Sequence, residues 1–238
     1  MRDIVTIPFN GEDSLIIACD NSGGIGIKEQ DLVHVPYETV AYYAFRVAVM
    51  ECIAAGGEPI LVVLHNFCGN EPWDELVSGI EKGLCELQLS DVKITGSTES
   101  NFSLLQSALG LVVLGKKPSA RMPDLAFYTD LRVAVIGLPL VGNEVIEQQD
   151  QVVPLSIFKE VSRIEEVMLW PVGSKGILYE LNQMFPHEEI TEEMVITNVD
   201  ILKSAGPATC FLAVVQPDQE QTLRKITGSM FHSLEIKK

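Results

Sequence analysis

The sequence has few basic residues, and this shortage excludes a class of function. The 238-residue chain has 17 Lys and Arg against 33 Asp and Glu, which gives a formal net charge of −16. General nucleic-acid binders need a basic face that displaces counterions, and anionic membranes attract basic segments. The composition therefore argues against nucleic acid and membrane as partners. With 47% hydrophobic residues, we expect a globular protein.

Long apolar runs are also missing. No stretch approaches the roughly 20 apolar residues of a membrane span. The first residues, Met-Arg-Asp-Ile-Val-Thr, lack the apolar core of a signal peptide. We therefore expect a cytoplasmic protein.

The cysteines give no sign of disulfides or of a zinc site. All 5 are scattered, and none forms a Cys-x-x-Cys pair. Neither they nor the 4 histidines have the spacing of structural zinc sites. No Ser or Cys nucleophile with a His and an acid at recognisable spacing is present either. We expect reduced thiols in the core.

Aliphatic segments alternate with helical patterns, which predicts a mixed α/β fold class. Strands are predicted at 14–19, 60–65, 92–95, 105–114, 132–137 and 209–215. Helices are predicted at 37–55, 73–87, 156–167, 175–184 and 218–226. From Gly115 to Pro123 charge and proline replace the periodic pattern, as in a linker. We therefore predict an N-terminal domain, 1–118, and a C-terminal α/β domain, 125–238.

Glu51 is a carboxylate within a small and apolar helical segment. In a helix its face is shared by neighbours three or four positions away, namely Val47, Ala48, Ala54 and Ala55. An unpaired charge among such residues is costly, so Glu51 should meet a cation, take up a proton or face a cleft.

Three further acids lie at the edges of apolar segments: Asp3, Asp20 and Glu99. Carboxylates, together with substrate phosphates, are the ligands that Mg²⁺ prefers. With Glu51, these acids predict a site for a metal ion and a nucleotide.

A glycine-rich segment, 19–26, follows the first predicted strand. Gly23 and Gly24 would let the backbone approach a phosphate closely. The segment lacks the GxGxxG and P-loop patterns. A simple turn capped by Asp20 or Asn21 is the alternative.

A second polar segment, 95–101, follows another predicted strand. Gly96, Ser97, Thr98 and Asn101 offer a close backbone, hydroxyls and an amide for phosphate oxygens. Because α/β sheets commonly bind ligands at strand ends, two such segments favour a binding site. An ordinary loop is the alternative.

Two more side chains are candidates. His65 ends a predicted strand and would serve as a ligand or base, or else as a histidine at the edge of the core. Arg46 precedes Glu51 by five positions and does not share its helical face, so it would pair with a phosphate or with another acid.

Three motifs resemble one superfamily. These are Asp20 with its glycine-rich segment, the stretch Arg46–Pro59 that ends in Ala-Ala-Gly-Gly-Glu-Pro, and Ile94–Ser100. They are similar, in the same order, to motifs of aminoimidazole ribonucleotide synthetase, thiamin-monophosphate kinase and selenophosphate synthetase. The finer resemblance is to bacterial alpha-ribazole kinases, through Val35–Arg46, Val63–Gly69 and Ile94–Phe102.

The resemblance implies a two-domain fold with mixed sheets, whose N-terminal domain forms a homodimer through a shared β-barrel and whose C-terminal domain is reduced. It implies ATP and Mg²⁺ as cofactors, with Asp3, Asp20, Glu51 and Glu99 as metal ligands. It also implies a kinase that phosphorylates alpha-ribazole to alpha-ribazole 5′-phosphate, with Asp20, Glu51 and His65 as catalytic candidates. The nucleotide would contact Arg46 and the glycine and hydroxyl residues of the two polar segments.

The sequence also departs from the superfamily. Gly96-Ser97 replaces a Gly-Gly pair, Lys175 replaces an acid in the second half, and Ser204–Leu212 lacks the acids of a later motif. Two alternatives therefore remain open. One is an enzyme with another small substrate, such as a thiamin phosphate, and the other is a non-catalytic nucleotide-binding protein.

Overall fold

The computed structural model describes residues 4–119 and 131–237, so Asp3 lies outside the described residues. The chain forms two compact units, 2–121 and 122–238. Whether they fold independently, with the limits 1–118 and 125–238, stays a prediction.

The first unit is one sheet with two helices on one side. Its elements are β1 (Ile4–Pro8), β2 (Asp13–Gly23), β3 (Ile25–Gly26), β4 (Val33–His34), α1 (Tyr37–Ala54), β5 (Glu58–Asn66), α2 (Trp73–Glu86), β6 (Lys93–Thr98) and β7 (Ala108–Pro118). The sheet has the order β1-β2-β7-β5-β6, in which only β5 and β6 are parallel neighbours. The described strands form an open sheet, and β3 pairs separately with β4.

Alternation along the strands gives this sheet a covered face and an open face. The covered face is apolar and contacts α1, with Ile16, Ala18, Val62, Leu64, Leu111 and Val113 buried. On the open face, Val5 and Ile7 of β1 are exposed, and Val63 and Val112 are half-buried. The helices therefore cover one side of this sheet only.

The second unit has helices on both faces of its sheet. Its elements are β8 (Arg132–Ile136), α3 (Glu144–Glu147), α4 (Leu155–Val161), β9 (Met168–Pro171), α5 (Gly176–Met184), β10 (Val195–Ile196), β11 (Phe211–Val215), α6 (Glu220–Thr227) and β12 (Phe231–Ile236). The antiparallel order is β10-β12-β8-β11-β9. Leu212 packs with Leu181 of α5, whereas Phe211 meets Phe158 of α4 edge to face, at 4.9 Å between ring centroids.

Several predicted boundaries are wrong. The helix predicted to reach Val167 ends at Val161, and Glu166 has a φ of 56°, which an α-helix does not tolerate. The predicted linker begins too early, since β7 pairs with β2 as far as Pro118. The strands β1, β3, β4, β9, β10 and β12 were not predicted. No helix in the described parts of the chain is long and apolar enough to cross a membrane.

Gly79 allows α1 and α2 to pack closely. A Cβ atom there would clash with the carbonyl oxygen of Glu38 and lie 2.9 Å from the amide nitrogen of Tyr42. Although alanine is usually about 1 kcal/mol better than glycine within a helix, we expect Gly79→Ala to lower the free energy of unfolding by about 2 kcal/mol. Urea denaturation measures this change.

Gly11→Ala is the control, since a Cβ there has no atom within 4 Å. We expect its free energy of unfolding to stay within about 0.5 kcal/mol of the wild type. A Gly79→Ala protein as stable as the wild type would contradict the close helix contact.

Candidate functional site

His65 lies on the open face of the first sheet. The register pairs it with Gly110 of β7 on one side and with Ser97 of β6 on the other. Asn21 of β2 also pairs with Gly110. Paired residues in neighbouring strands point to the same face, and the side chains of Asn21, His65 and Ser97 are all exposed. The imidazole and the Ser97 hydroxyl are therefore accessible to a ligand.

The second polar segment is mostly strand rather than loop. β6 continues through Thr98, because Gly96, Ser97 and Thr98 pair with Leu64, His65 and Asn66. A Cβ on Gly96 would clash with the carbonyl oxygen of Leu64. Packing against β5 therefore accounts for this glycine.

Glu99 stabilises the loop that follows β6. Its Oε1 accepts hydrogen bonds from the backbone nitrogens of Asn101, at 2.6 Å, and Phe102, at 3.3 Å. Its own nitrogen donates to the carbonyl oxygen of Asn66 at 2.8 Å. The side chain of Asn101 is exposed at the same strand end. One carboxylate oxygen of Glu99 thus maintains the loop, and Oε2 takes no part in these bonds.

The first glycine-rich segment begins later than predicted. β2 includes Asp20 and Gly23, and Gly23 pairs with Ala108. Gly24 has a φ of 70°, and its nitrogen donates to the carbonyl oxygen of Ser107 at 2.8 Å. The Gly24 amide is therefore engaged within the protein.

Asp20 and Glu99 lie far apart. Asp20 on β2 pairs with Leu111 on β7, which pairs with Leu64 on β5, which in turn pairs with Gly96 on β6. Asp20 and Gly96 are therefore level with each other but three strand spacings apart. Glu99 lies three residues further along, so their Cα atoms are separated by about 17 Å. Two carboxylates at this distance within one chain cannot bind the same metal ion.

Glu51 lies near the opposite end of the sheet from Glu99. It is half-buried in the last turn of α1. The next residue, Cys52, lies against Gly115, which pairs with Ile16. Tyr37, at the other end of α1, contacts the Ser107 loop, about 21 Å along the helix. The sequence-predicted acids therefore occupy separate parts of the unit.

A metal site made of all these acids does not form in one chain. Among residues 4–119 and 131–237, no group of three or more His, Cys, Asp and Glu side chains could hold a metal ion. Asp3 lies outside those ranges. The donors in the described residues are compatible with a metal ion held by one or two carboxylates together with ligand phosphates, an arrangement that Mg²⁺ commonly adopts.

Arg46 lies in the contact between α1 and α2. It is 0% exposed, and the Tyr42 hydroxyl donates to Glu86 Oε2 on α2 at 2.8 Å. Burial raises the pKa of Tyr42 and of Tyr43, while the charge of Arg46 opposes this rise. Arg46 is therefore a buried cation within a polar cluster of the helix pair, away from the exposed strand ends.

Sequence reasoning missed a buried polar network beside Gly24. It joins the segment before α1 to the loop before β7 through Asp31, Tyr37 and Ser107, with half-buried Lys28 bonded to Asp31 through its backbone nitrogen. Asp31 and Ser107 are separated by 76 residues. No sequence pattern connects two residues so far apart, although an isolated acid in a turn is a weak signal.

Lys175 of the second unit contacts its own helix. Its Nζ lies 3.2 Å from the Tyr179 hydroxyl and 4.3 Å from the centroid of that ring. In the later motif, the nitrogen of Gly206 donates to the Ser204 hydroxyl at 3.1 Å. No carboxylate takes part in these contacts.

No protein-family model matches the sequence, and no curated protein sequence is significantly similar to it. Solved structures nevertheless share its fold. T. maritima PurL complexed with AMPPCP has a TM-score of 0.65 at 11% identity, over 98% of this chain and 42% of that chain. This chain therefore spans less than half of the length of PurL.

Two other structures match over most of both chains. A chain of the HypE–HypF complex has a TM-score of 0.63 at 15% identity, over 100% of this chain and 88% of that chain. Thiamine-monophosphate kinase from Stenotrophomonas maltophilia K279a has a TM-score of 0.59 at 12% identity, over 98% and 88%. These matches confirm the predicted fold class, an aminoimidazole ribonucleotide synthetase-like fold with mixed sheets.

The position of Arg46 predicts a role in stability. Removal of a buried cation leaves the surrounding acid and hydroxyl groups uncompensated, so we expect Arg46→Met to lower the free energy of unfolding by about 3 kcal/mol. Urea denaturation measures the change. Lys82→Met is the matched control, because Lys82 on α2 is exposed and pairs with Glu38 at 3.4 Å.

We expect Lys82→Met to change the free energy of unfolding by less than about 1 kcal/mol. If Arg46→Met instead retained wild-type stability and lost only nucleotide affinity, the original prediction of a phosphate contact would be supported.

Proposed function

We propose that the protein is an ATP-dependent phosphotransferase that acts on a small molecule, most specifically a kinase for alpha-ribazole. The fold carries the first part of this proposal, because the chain shares it with PurL structures complexed with ATP and AMPPCP and with a thiamine-monophosphate kinase. The finer part, alpha-ribazole as the acceptor, rests on the resemblance of Val35–Arg46, Val63–Gly69 and Ile94–Phe102 to alpha-ribazole kinases.

The nucleotide would bind at the strand ends of the first unit. Ser97 and Asn101 are exposed there, Thr98 is half-buried, and Gly23 ends β2 at the same edge of the sheet. Hydroxyl and amide donors suit phosphate oxygens. Arg46 and Gly24 are engaged in the protein interior, and contacts from them to nucleotide stay predictions.

The acceptor would be aromatic. Large apolar side chains are exposed around the same strand ends: Ile27, Leu32, Phe67, Phe102, Leu104 and Leu105. Such residues favour a flat apolar ring system and offer no charge to a second phosphate. This apolar character supports our proposal of alpha-ribazole, which carries no phosphate, as the acceptor rather than a thiamin phosphate.

Phosphoryl transfer would depend on positioning. The 5′-hydroxyl oxygen of the acceptor forms a bond to the γ-phosphorus, the bond to ADP breaks, and the hydroxyl proton passes to a base. His65 is the candidate base, because its imidazole is exposed next to Ser97. When bound, Mg²⁺ would neutralise phosphate charge.

We further propose a homodimer formed through the open face of the first sheet. This face is apolar, with Val5 and Ile7 exposed and Val63 and Val112 half-buried. Asp20 projects towards the covered face and lies about 17 Å from Glu99 of its own chain. A site that uses both acids would therefore form where the strand ends of two copies meet at the edge of this interface.

A non-catalytic nucleotide-binding protein is the second candidate. It is favoured by the second unit, where Lys175 contacts Tyr179 and the later motif carries no acid. A binding protein of this kind would hold ATP without turnover.

The first test is ADP release from Mg²⁺-ATP, with and without alpha-ribazole, and the product mass. We expect ADP only with the acceptor, together with alpha-ribazole 5′-phosphate. ADP release with a thiamin phosphate but not with alpha-ribazole would support the alternative enzyme, one that acts on a thiamin phosphate. Tight ATP binding without turnover on any acceptor would support the binding protein, and no binding would exclude all three.

Variants of the two separated acids test the dimer. We expect Asp20→Asn and Glu99→Gln each to lower turnover at least about tenfold, which is roughly 1.4 kcal/mol at the transition state. If the site combines acids from two copies, random reassociation of the two variants restores about a quarter of wild-type activity. Unrestored activity in a mixed dimer would show that the acids do not act together across copies.

A further inference from the structure

Asp31 is a buried carboxylate with a complete set of hydrogen-bond donors. It is 5% exposed. Its Oδ1 accepts from the backbone nitrogen of Ser107 at 2.7 Å, and Oδ2 accepts from the Ser107 hydroxyl at 2.7 Å and from the nitrogen of Lys28 at 2.9 Å. Burial by itself raises the pKa of Asp31, but these hydrogen bonds outweigh it and hold the pKa below its usual value. Asp31 is therefore a stable internal anion.

Ser107 connects this anion to the start of α1. Because the Ser107 hydroxyl donates to Asp31, it accepts from the Tyr37 hydroxyl, 2.9 Å away. Gly26 lies against the same pair of residues, and a Cβ on it would clash with the Ser107 hydroxyl and approach the Tyr37 ring to 2.8 Å. The network therefore has little space in which to rearrange.

Lys28 holds the same loop from a second position. Its Nζ donates to the carbonyl oxygens of Leu104 at 3.0 Å, Gln106 at 3.3 Å and Phe67 at 3.4 Å. Gln106 Nε2 donates in turn to the carbonyl oxygen of Gln30 at 2.7 Å. A half-buried cation and a buried anion from one short segment thus bind the end of the loop before β7.

The start of that loop is also anchored. Asn66 is 1% exposed, and its side chain donates to Thr98 Oγ1 at 3.1 Å, while its carbonyl oxygen accepts from the nitrogen of Glu99. Between the two anchors the loop is open to solvent, with Phe102 77% and Leu105 71% exposed. Exposed loops are ordinarily mobile, and one fixed at both ends by buried polar groups is organised before a ligand arrives.

We infer that Asp31, with Lys28, is a positioning residue that holds loop 99–107 in its ligand-binding conformation. This inference rests on the proposed function, because the ligand is the nucleotide that would meet Ser97, Thr98 and Asn101. Asp31 touches no reacting atom. Its contribution is to nucleotide affinity, since a preordered loop loses less conformational entropy on binding.

The test compares Asp31→Asn and Ser107→Ala with a control, Asp13→Asn. Asp13 is also a carboxylate with a lowered pKa, owing to its hydrogen bond from Lys116, but it lies at the other end of β2. Hydrogen exchange by mass spectrometry measures the order of residues 99–107, and a fluorescent ATP analogue measures nucleotide affinity in the full chain.

We expect Asp31→Asn to raise the rate of amide hydrogen exchange in residues 99–107 about tenfold. We also expect it to raise the dissociation constant for the nucleotide about tenfold. A tenfold change is what the loss of one charge-assisted hydrogen bond would produce. Exchange in α2 and β5 should not change. Ser107→Ala keeps the backbone hydrogen bond to Asp31, so we expect it to raise both quantities by an intermediate factor. We expect Asp13→Asn to leave amide exchange in this loop unchanged.

Loop exchange in Asp31→Asn and Ser107→Ala equal to that of the control would overturn the inference, as would faster exchange with unchanged affinity. If Asp31→Asn does not fold, Ser107→Ala decides by the same two measurements. A wild-type protein that binds no nucleotide would exclude both the proposed function and this inference, whereas wild-type binding that both variants retain excludes the inference alone.

Discussion

The packing of α1 on one face of the first sheet determines where every candidate side chain of that unit points. Side chains alternate along β2, β7 and β5, and the apolar set is covered by the helix. The register then fixes which polar residues are neighbours. His65 and Ser97 are paired neighbours on the open face, while Asp20 and Thr98 project towards the covered side. A shift of one residue in any of these strands would exchange the two sets.

The same packing separates residues that the sequence motifs predict in a single site. α1 extends along the sheet, so Tyr37 lies at the strand ends near Ser107, whereas Glu51 lies near Gly115. The charged side chains within the unit consequently have different roles. Arg46 is buried between the two helices, Lys28 and Asp31 bond the loop before β7, and Glu99 bonds the backbone of its own turn.

The functional proposal combines two kinds of support. Fold likeness at 11% to 15% identity shows an architecture shared with PurL complexed with AMPPCP and with a thiamine-monophosphate kinase, and it shows the fold alone. The exposed hydroxyls, amide and apolar side chains at the strand ends of the first unit supply the chemistry. The second unit offers no carboxylate at the positions of Lys175 and Ser204–Gly206. Because these carboxylates are missing, a protein that binds ATP need not turn it over, and binding and turnover have to be measured separately.

The sequence by itself determined the mixed α/β class and the long helices α1 and α2, because periodic apolar residues encode which local structure can bury them. It also singled out residues at strand ends, including Ser97, Thr98 and Asn101. Only the tertiary structure decided that Gly96 serves close packing, that Arg46 is buried between helices, and that Asp20, Glu51 and Glu99 are apart. These outcomes depend on strand order and register, and contacts such as that of Asp31 with Ser107 join residues 76 positions apart. Local sequence carries no record of such distances, since they arise only when the sheet assembles.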